Sequence, residues 1–277
     1  MVSNNPLKRK KTMKKYIFMA VAGMLALSSC SNDDNEQTAQ NAPRQMTFTA
    51  GFGDGATTRA TLNGSTKKVS FDANDKISIF SANNNNIQFT TTAGGASATF
   101  TGPATAGDPT YYAVYPNRPG LELEGTTVKN VRIPHNSLFS SSNWDKDAAI
   151  AYATADGTNL TFHNACALLK ITNGKDVEVD INVACDYGKA LTGTFDLNLS
   201  TGELTVQKGK GFNRVDANAV PSGATIYIAI APGTYNSLNA SWTDEDFNMG
   251  QKTKNDAFIF QKGKIYDLGN TSDWNQQ

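Results

Sequence analysis

From about Gln45 to Trp274, no stretch of this 277-residue chain sustains an amphipathic period of 3.6 residues over three helical turns, and that absence narrows the fold more than any single motif does. Short runs with strand character recur instead, such as Lys76-Ile77-Ser78-Ile79-Phe80 and Thr225-Ile226-Tyr227-Ile228-Ala229-Ile230. Between them stand turn pairs: Asn63-Gly64, Gly94-Gly95, Asp156-Gly157, Asn173-Gly174, Thr201-Gly202 and Pro232-Gly233. Glycine after Asn or Asp supplies the positive φ that tight hairpins demand. Many short strands with frequent turns predict an all-β chain of sandwich type. The segment from Arg118 to Asp147 reads as loop-rich, and a long apolar strand, Leu160 to Ile171, follows it. The expected division is therefore two β-sandwiches in tandem, 45–158 and 159–277.

The amino-terminal residues are of a different kind. Lys14-Lys15 precede an apolar run from Tyr16 to Leu27 that closes in Leu27-Ser28-Ser29-Cys30. A basic start, a short apolar run and small residues before a cleavage point make a secretory signal peptide, and the run is too short to remain as a membrane span. The Leu-Ser-Ser-Cys ending resembles the lipobox of bacterial lipoproteins, which implies cleavage after residue 29 and acylation of Cys30. Two or three acyl chains would hold a soluble domain at a membrane, where one binds only reversibly. Met13 is an equally good start.

Removing residues 1–29 takes away six basic residues and no acid, leaving 19 Lys and Arg against 25 Asp and Glu, a net charge of −6. Such a chain has no electrostatic footprint for nucleic acid. Residues 30–44 read as a flexible tether, since Asn, Asp, Gln, Ala and Pro bury little apolar area. Ser31-Asn32-Asp33-Asp34-Asn35-Glu36 is either a solvated part of it or resembles the acidic export tag of Bacteroidetes surface lipoproteins.

Several motifs in order resemble the fimbrillins, the type V pilins of Bacteroidetes, over nearly the whole chain. They are Met46-Thr47-Phe48-Thr49-Ala50-Gly51-Phe52, Thr58-Arg59-Ala60, Lys76 to Ser81, Ala98-Thr99-Phe100-Thr101-Gly102, Tyr111 to Pro116, and Leu160-Thr161-Phe162-His163-Asn164 leading into Ala167 to Ile171. The resemblance implies two transthyretin-like β-sandwich domains and a non-enzymatic role in cell adhesion at the outer membrane, as a pilus subunit or as a tip, anchor or accessory lipoprotein. It also implies a mechanism. An Arg-specific protease cuts after an arginine that follows the first strand, the strand leaves with the lipid anchor, and a strand from another pilin subunit fills the groove. Arg59, with Ala60 as the new terminus, is the expected cut; the alternative is a surface arginine in a structural turn. Arg44 is the other basic site, but a cut there would leave the strand in place. In that strand Met46, Phe48, Ala50 and Phe52 alternate with smaller or polar residues, so one face belongs at a core. The carboxy-terminal end departs from a self-polymerising stalk subunit. Ile265-Tyr266-Asp267-Leu268 either closes the second sandwich or serves as donor, and beyond it Trp274 is the sole large apolar residue.

Chemistry-bearing constellations are sparse. His135 and His163 lack a nucleophile or metal partner in a recognisable spacing, Gly51-Phe52-Gly53-Asp54-Gly55 is a loop without a following helix, and Asn74-Asp75 and Asp145/Asp147 lack a calcium-loop pattern. No cofactor, metal or catalytic residue is expected. Cys166 and Cys185 flank Asn173-Gly174; they are a candidate disulfide if antiparallel pairing brings them together, and buried free thiols otherwise. The competing function is a surface lipoprotein that stays anchored and does not polymerise, either purely structural or contacting glycans through a loop aromatic, with Trp144 the candidate and Trp242 a core residue. A host or bacterial surface ligand is the partner expected in either case.

Overall fold

A computed structural model of the chain describes residues 42–53, 70–137, 145, 147–148 and 150–276. In chain order the strands are β1 (Arg44–Phe52), β2 (Lys76–Ser81), β3 (Asn84–Thr91), β4 (Ser97–Ala104), β5 (Tyr112–Tyr115), β6 (Glu122–Glu124), β7 (Thr127–Ile133), β8 (Asn136–Ser137), β9 (Ala151–Asp156), β10 (Asn159–Asn164) and β11 (Ala167–Thr172). They continue with β12 (Val179–Cys185), β13 (Thr192–Asn198), β14 (Leu204–Phe212), β15 (Arg214–Val220), β16 (Thr225–Ile230), β17 (Gly233–Tyr235), β18 (Leu238–Thr243), β19 (Met249–Lys254), β20 (Phe258–Phe260), β21 (Ile265–Asn270) and β22 (Asn275–Gln276). The all-β class expected from the sequence is the class adopted.

Seven strands close into a barrel in the order β1, β10, β9, β5, β2, β3, β4. Inward residues alternate along each strand, and Phe48, Ile77, Ile79, Phe89, Phe100 and Phe162 fill the interior. The Asp156-Gly157 signal makes the β9–β10 hairpin, with Asn159 opposite Asp156 and Gly157 at φ +60°, the conformation that glycine takes without a Cβ clash. The division at 158/159 falls within this hairpin, whose two strands both belong to the barrel.

The other strands form stacked sheets. A three-stranded sheet, β16-β11-β21, has apolar residues on both faces. Ala167, Leu169 and Ile171 pack toward the six-stranded sheet β22-β19-β18-β12-β15-β8, while Leu168 and Ala229 turn the other way. On that side they meet Val128, Val131, Phe195 and Leu197 of the sheet β14-β13-β7-β6, together with Phe80, Val114 and Tyr152 of the barrel wall. Burial on both faces explains the unbroken apolar run of β11.

Three sequence expectations change here. The apolar run Leu160–Ile171 is two strands, β10 in the barrel and β11 in the central sheet, separated at Ala165-Cys166. Asn173-Gly174 is not a hairpin turn, because β11 and β12 lie in different sheets across one core. The segment read as loop-rich contains β6, β7 and β8, which leave the barrel to pair with one another or with β13 and β15.

Candidate functional site

The first strand sits between β4 and β10, both distant from it in sequence. Its antiparallel ladder with β4 runs from Arg44 opposite Ala104 to Gly51 opposite Ser97. Its parallel ladder with β10 runs from Thr49 opposite Asn159 to Phe52 opposite Phe162. The ends of the parallel side are tied by Thr49 N–H donating to Thr158 O at 2.9 Å and Gly53 N–H donating to Phe162 O at 3.1 Å. Period-two geometry sends Phe48 and Ala50 fully into the core, each 0 % exposed, and leaves Thr47 and Thr49 at the surface. Met46 and Phe52 are half-buried on the same inner face. Phe48 meets Phe89 and Tyr111 edge-on, both with centroids at 5.4 Å. Phe52 stacks on Phe71, with centroids 4.8 Å apart.

The groove under β1 is therefore built from Phe89, Phe100, Tyr111 and Phe162, with two backbone edges to satisfy. Among the described strands β1 comes first and neither hydrogen-bonded neighbour is its neighbour in sequence, so the segment after Gly53 connects it to the rest of the barrel. Arg59 and Ala60 belong to that connection and lie outside the described residues, as do Cys30 and Trp144.

The remaining candidate residues occupy structural places. Cys166 and Cys185 are both buried and are not joined in a disulfide, which sets that candidate pairing aside. They belong to different cores: Cys166 packs with Leu168, Ile150 and Phe195, and Cys185 with Val183, Leu191 and Tyr235. Cys166 Sγ accepts from Ile150 N–H at 3.4 Å. Burial pushes the Cys185 thiol up to about 12, with Asp186 adding to the effect. Trp242 is a core residue as expected, with Lys175 Nζ 4.2 Å above its ring. His163 is exposed on β10, its ring 5.9 Å from that of Tyr152, and His135 packs at 4.7 Å on Phe212.

The carboxy-terminal segment closes the second half. β21 pairs in parallel with β11, β22 pairs with β19, and Trp274 is buried in the core beneath them. Between the two, the Asn270 side chain caps the one-turn helix Thr271–Asp273 by accepting from Ser272 N–H. A surface feature that the sequence reading passed over is the exposed pair Tyr187 and Phe212 beside β14; its only sequence signal is the glycine-interrupted Lys208-Gly209-Lys210-Gly211-Phe212.

No protein-family model matches the chain, and no curated protein matches it in sequence. Solved structures do resemble it. A proposed cell adhesion protein from Bacteroides uniformis ATCC 8492 aligns with TM-score 0.50 and 15% identity over 87% of this chain and 97% of its own. A proposed cell adhesion protein from Bacteroides ovatus ATCC 8483 aligns with TM-score 0.52 and 15% identity, over 85% and 95% respectively. At that identity the likeness is one of fold, and the chain shares its all-β architecture nearly end to end with these two Bacteroides proteins.

Proposed function

We propose that this chain is a cell-surface adhesion subunit of fimbrillin type, in which β1 is an exchangeable strand. The observation that supports the reading is the seating of β1: an alternating strand held on both sides by backbone ladders, filling an aromatic-lined groove, and joined to neither ladder partner by a hairpin. Burying Phe48 contributes about 1.5–3 kcal/mol, and each ladder hydrogen bond about 0.5–1.5 kcal/mol. A groove emptied of these groups would be strongly driven to take a replacement strand. The incoming strand would run antiparallel to β4 and parallel to β10, with apolar side chains where Phe48 and Ala50 now sit.

The carboxy-terminal residues bear on the position in a fibre. With β21, β22 and Trp274 built into their own fold, none of these is a free donor strand, which suits a fibre end or an accessory subunit more than a stalk. Similarity of fold to two proposed adhesion proteins is in keeping with surface exposure, and Cys30 would supply the lipid anchor before processing.

The test is Arg-specific proteolysis of the chain from Ser31 onward, followed by amino-terminal sequencing and capture of a labelled peptide with the alternation of β1. A new terminus at Ala60, capture of the peptide by cut but not uncut protein, and resistance of Arg59→Ala to the cut are expected. A chain that stays intact at Arg59, or that is cut and captures nothing, overturns the proposal.

A further inference from the structure

Strand β14 is an edge strand, exposed along most of its length. Its pairing with β13 is interrupted: Gly193 faces Gly211 and Phe195 faces Val206, so Gln207 to Lys210 bulge out opposite Thr194 alone. The bulge is a built feature. Gln207 Nε2 donates to Asp196 Oδ1 at 2.6 Å, and Lys210 Nζ donates to Gln207 Oε1 at 2.8 Å. At Gly211 a Cβ would come within 2.8 Å of Ala190 Cβ, so only glycine lets the strand lie this close to the loop Asp186–Leu191.

Between bulge and loop lies a groove of about 370 Å³, which continues past Val206 into a second hollow of about 220 Å³ along Pro232 and Thr234. The first falls in the size range of small-ligand sites, about 300–1,000 Å³. Two aromatic side chains stand at it against the hydrophobic effect: Tyr187 is 99 % exposed and Phe212 47 %. The Phe212 ring is backed by His135, which leaves its other face available. Among the described residues lining both parts, the charged side chains are Lys189 and Lys208, and no carboxylate is included. The nearby acids are hydrogen-bonded outside the groove, although Asp186 also feels the charge of Lys189. Asp186 accepts from the backbone N–H groups of Asn236 and Ser237, and Asp196 from Lys129 and Gln207.

We infer that this groove binds an acidic oligosaccharide, with sugar rings lying against Tyr187 and Phe212 and their carboxylate or sulfate groups facing Lys189 and Lys208. Aromatic rings give flat apolar area at little cost in side-chain order, and lysine is a mobile point charge suited to an anion that is not held in a fixed fork. A strand from another protein is a poor occupant, because a bulged edge carrying lysines resists strand addition. The open, elongated form of the groove suits a chain of rings. The inference does not rest on strand exchange, since β1 belongs to the barrel and β14 to a different sheet.

The test uses the whole chain from Ser31 onward, titrated calorimetrically with an oligogalacturonate (carboxylated) and a heparin oligosaccharide (sulfated). Maltohexaose is the neutral control and polyglutamate the acidic control without sugar. Saturable binding of at least one acidic sugar, about tenfold or more tighter than either control, is expected. Tyr187→Ala should weaken it by about tenfold, the effect of losing a central aromatic contact, with the thermal midpoint unchanged because the side chain is fully exposed. Lys189→Gln combined with Lys208→Gln should weaken it and flatten its dependence on salt. Failure to bind either acidic sugar overturns the inference, and so does equally tight binding of maltohexaose or of polyglutamate. Binding that survives Tyr187→Ala unchanged also overturns it.

Discussion

The ring of Phe48 meets that of Phe89 edge-on, with centroids 5.4 Å apart and planes at 62°, so β1 locks into β3 through side chains although the two strands share no hydrogen bonds. Truncating Phe48 opens a cavity that the closed barrel cannot collapse. Phe48→Ala should lower unfolding stability by about 3–5 kcal/mol. Thr47→Ala, on the outer face of the same strand, should change it by about 0.5 kcal/mol or less. Urea denaturation of the pair checks this; equal losses would mean that β1 is not seated by its inner face.

At the far end of the second half, Asn173 ties three segments together. Its Nδ2 donates to Val177 O and Val220 O, both at 2.9 Å, and its Oδ1 accepts from Lys175 N–H and from Thr271 Oγ1. Asn173→Ala leaves buried carbonyls without donors and should cost about 2–3 kcal/mol. Thr271→Val should cost less, about 1 kcal/mol. Limited proteolysis should cut Asn173→Ala faster near its carboxy terminus, where Thr271 and Ser272 hold Gly174.

Acid should weaken the barrel through Asp108. Burial alone would raise its pKa, but the Ser81 hydroxyl, the Asn83 backbone N–H and the Asn83 and Asn84 amides outweigh that and hold it below the ordinary value. A carboxylate whose pKa is lower folded than unfolded stabilises fully above the usual carboxylate range and loses that contribution as pH falls through the folded value. Asp108→Asn should therefore be less stable than the parent at pH 7, and the gap should close as pH drops toward about 3. Urea midpoints across that range measure it; a gap that stays constant with pH would contradict the assignment.

Thiol accessibility gives an independent check on the two cores. With Cys166 and Cys185 buried and not joined in a disulfide, a chain starting at Ser31 should show no reaction with an aromatic disulfide reagent while folded. Both thiols should titrate after unfolding in denaturant without reductant. Fewer thiols than two after unfolding would indicate that a disulfide forms after all.

What was legible in the sequence was local. The alternation Met46, Phe48, Ala50, Phe52 forecast the buried face of β1, since side-chain direction in a strand depends on parity alone. The Gly157 and Gly202 turns were equally plain, because positive φ at a hairpin is a one-residue requirement. Parallel pairing of β1 with β10 was not legible: it joins Thr49 to Asn159 across a separation that leaves no periodic trace. β6 and β7 were missed because Glu122, Glu124 and Lys129 give them a polar cast. Asn173-Gly174 misled, since an Asn-Gly pair signals a change of direction without saying whether the chain returns to the same sheet. The candidate groove was hidden for a related reason: Tyr187 and Phe212 are far apart in sequence, and only the fold sets them along one groove.

The excursion of β6, β7 and β8 out of the barrel and back has a mechanical consequence. The backbone passes between the two halves three times, before β6, before β9 and before β11, and the apolar layer joining Val114 and Tyr152 to Val128 and Phe195 fills the space between. A tandem protein with one linker bends or extends there when its ends are pulled apart. Among the described strands the crossings number three, so tension would spread over all of them, and a single backbone cut would free neither half. Force applied to one half would pass to the other through the shared apolar layer as well as through the backbone.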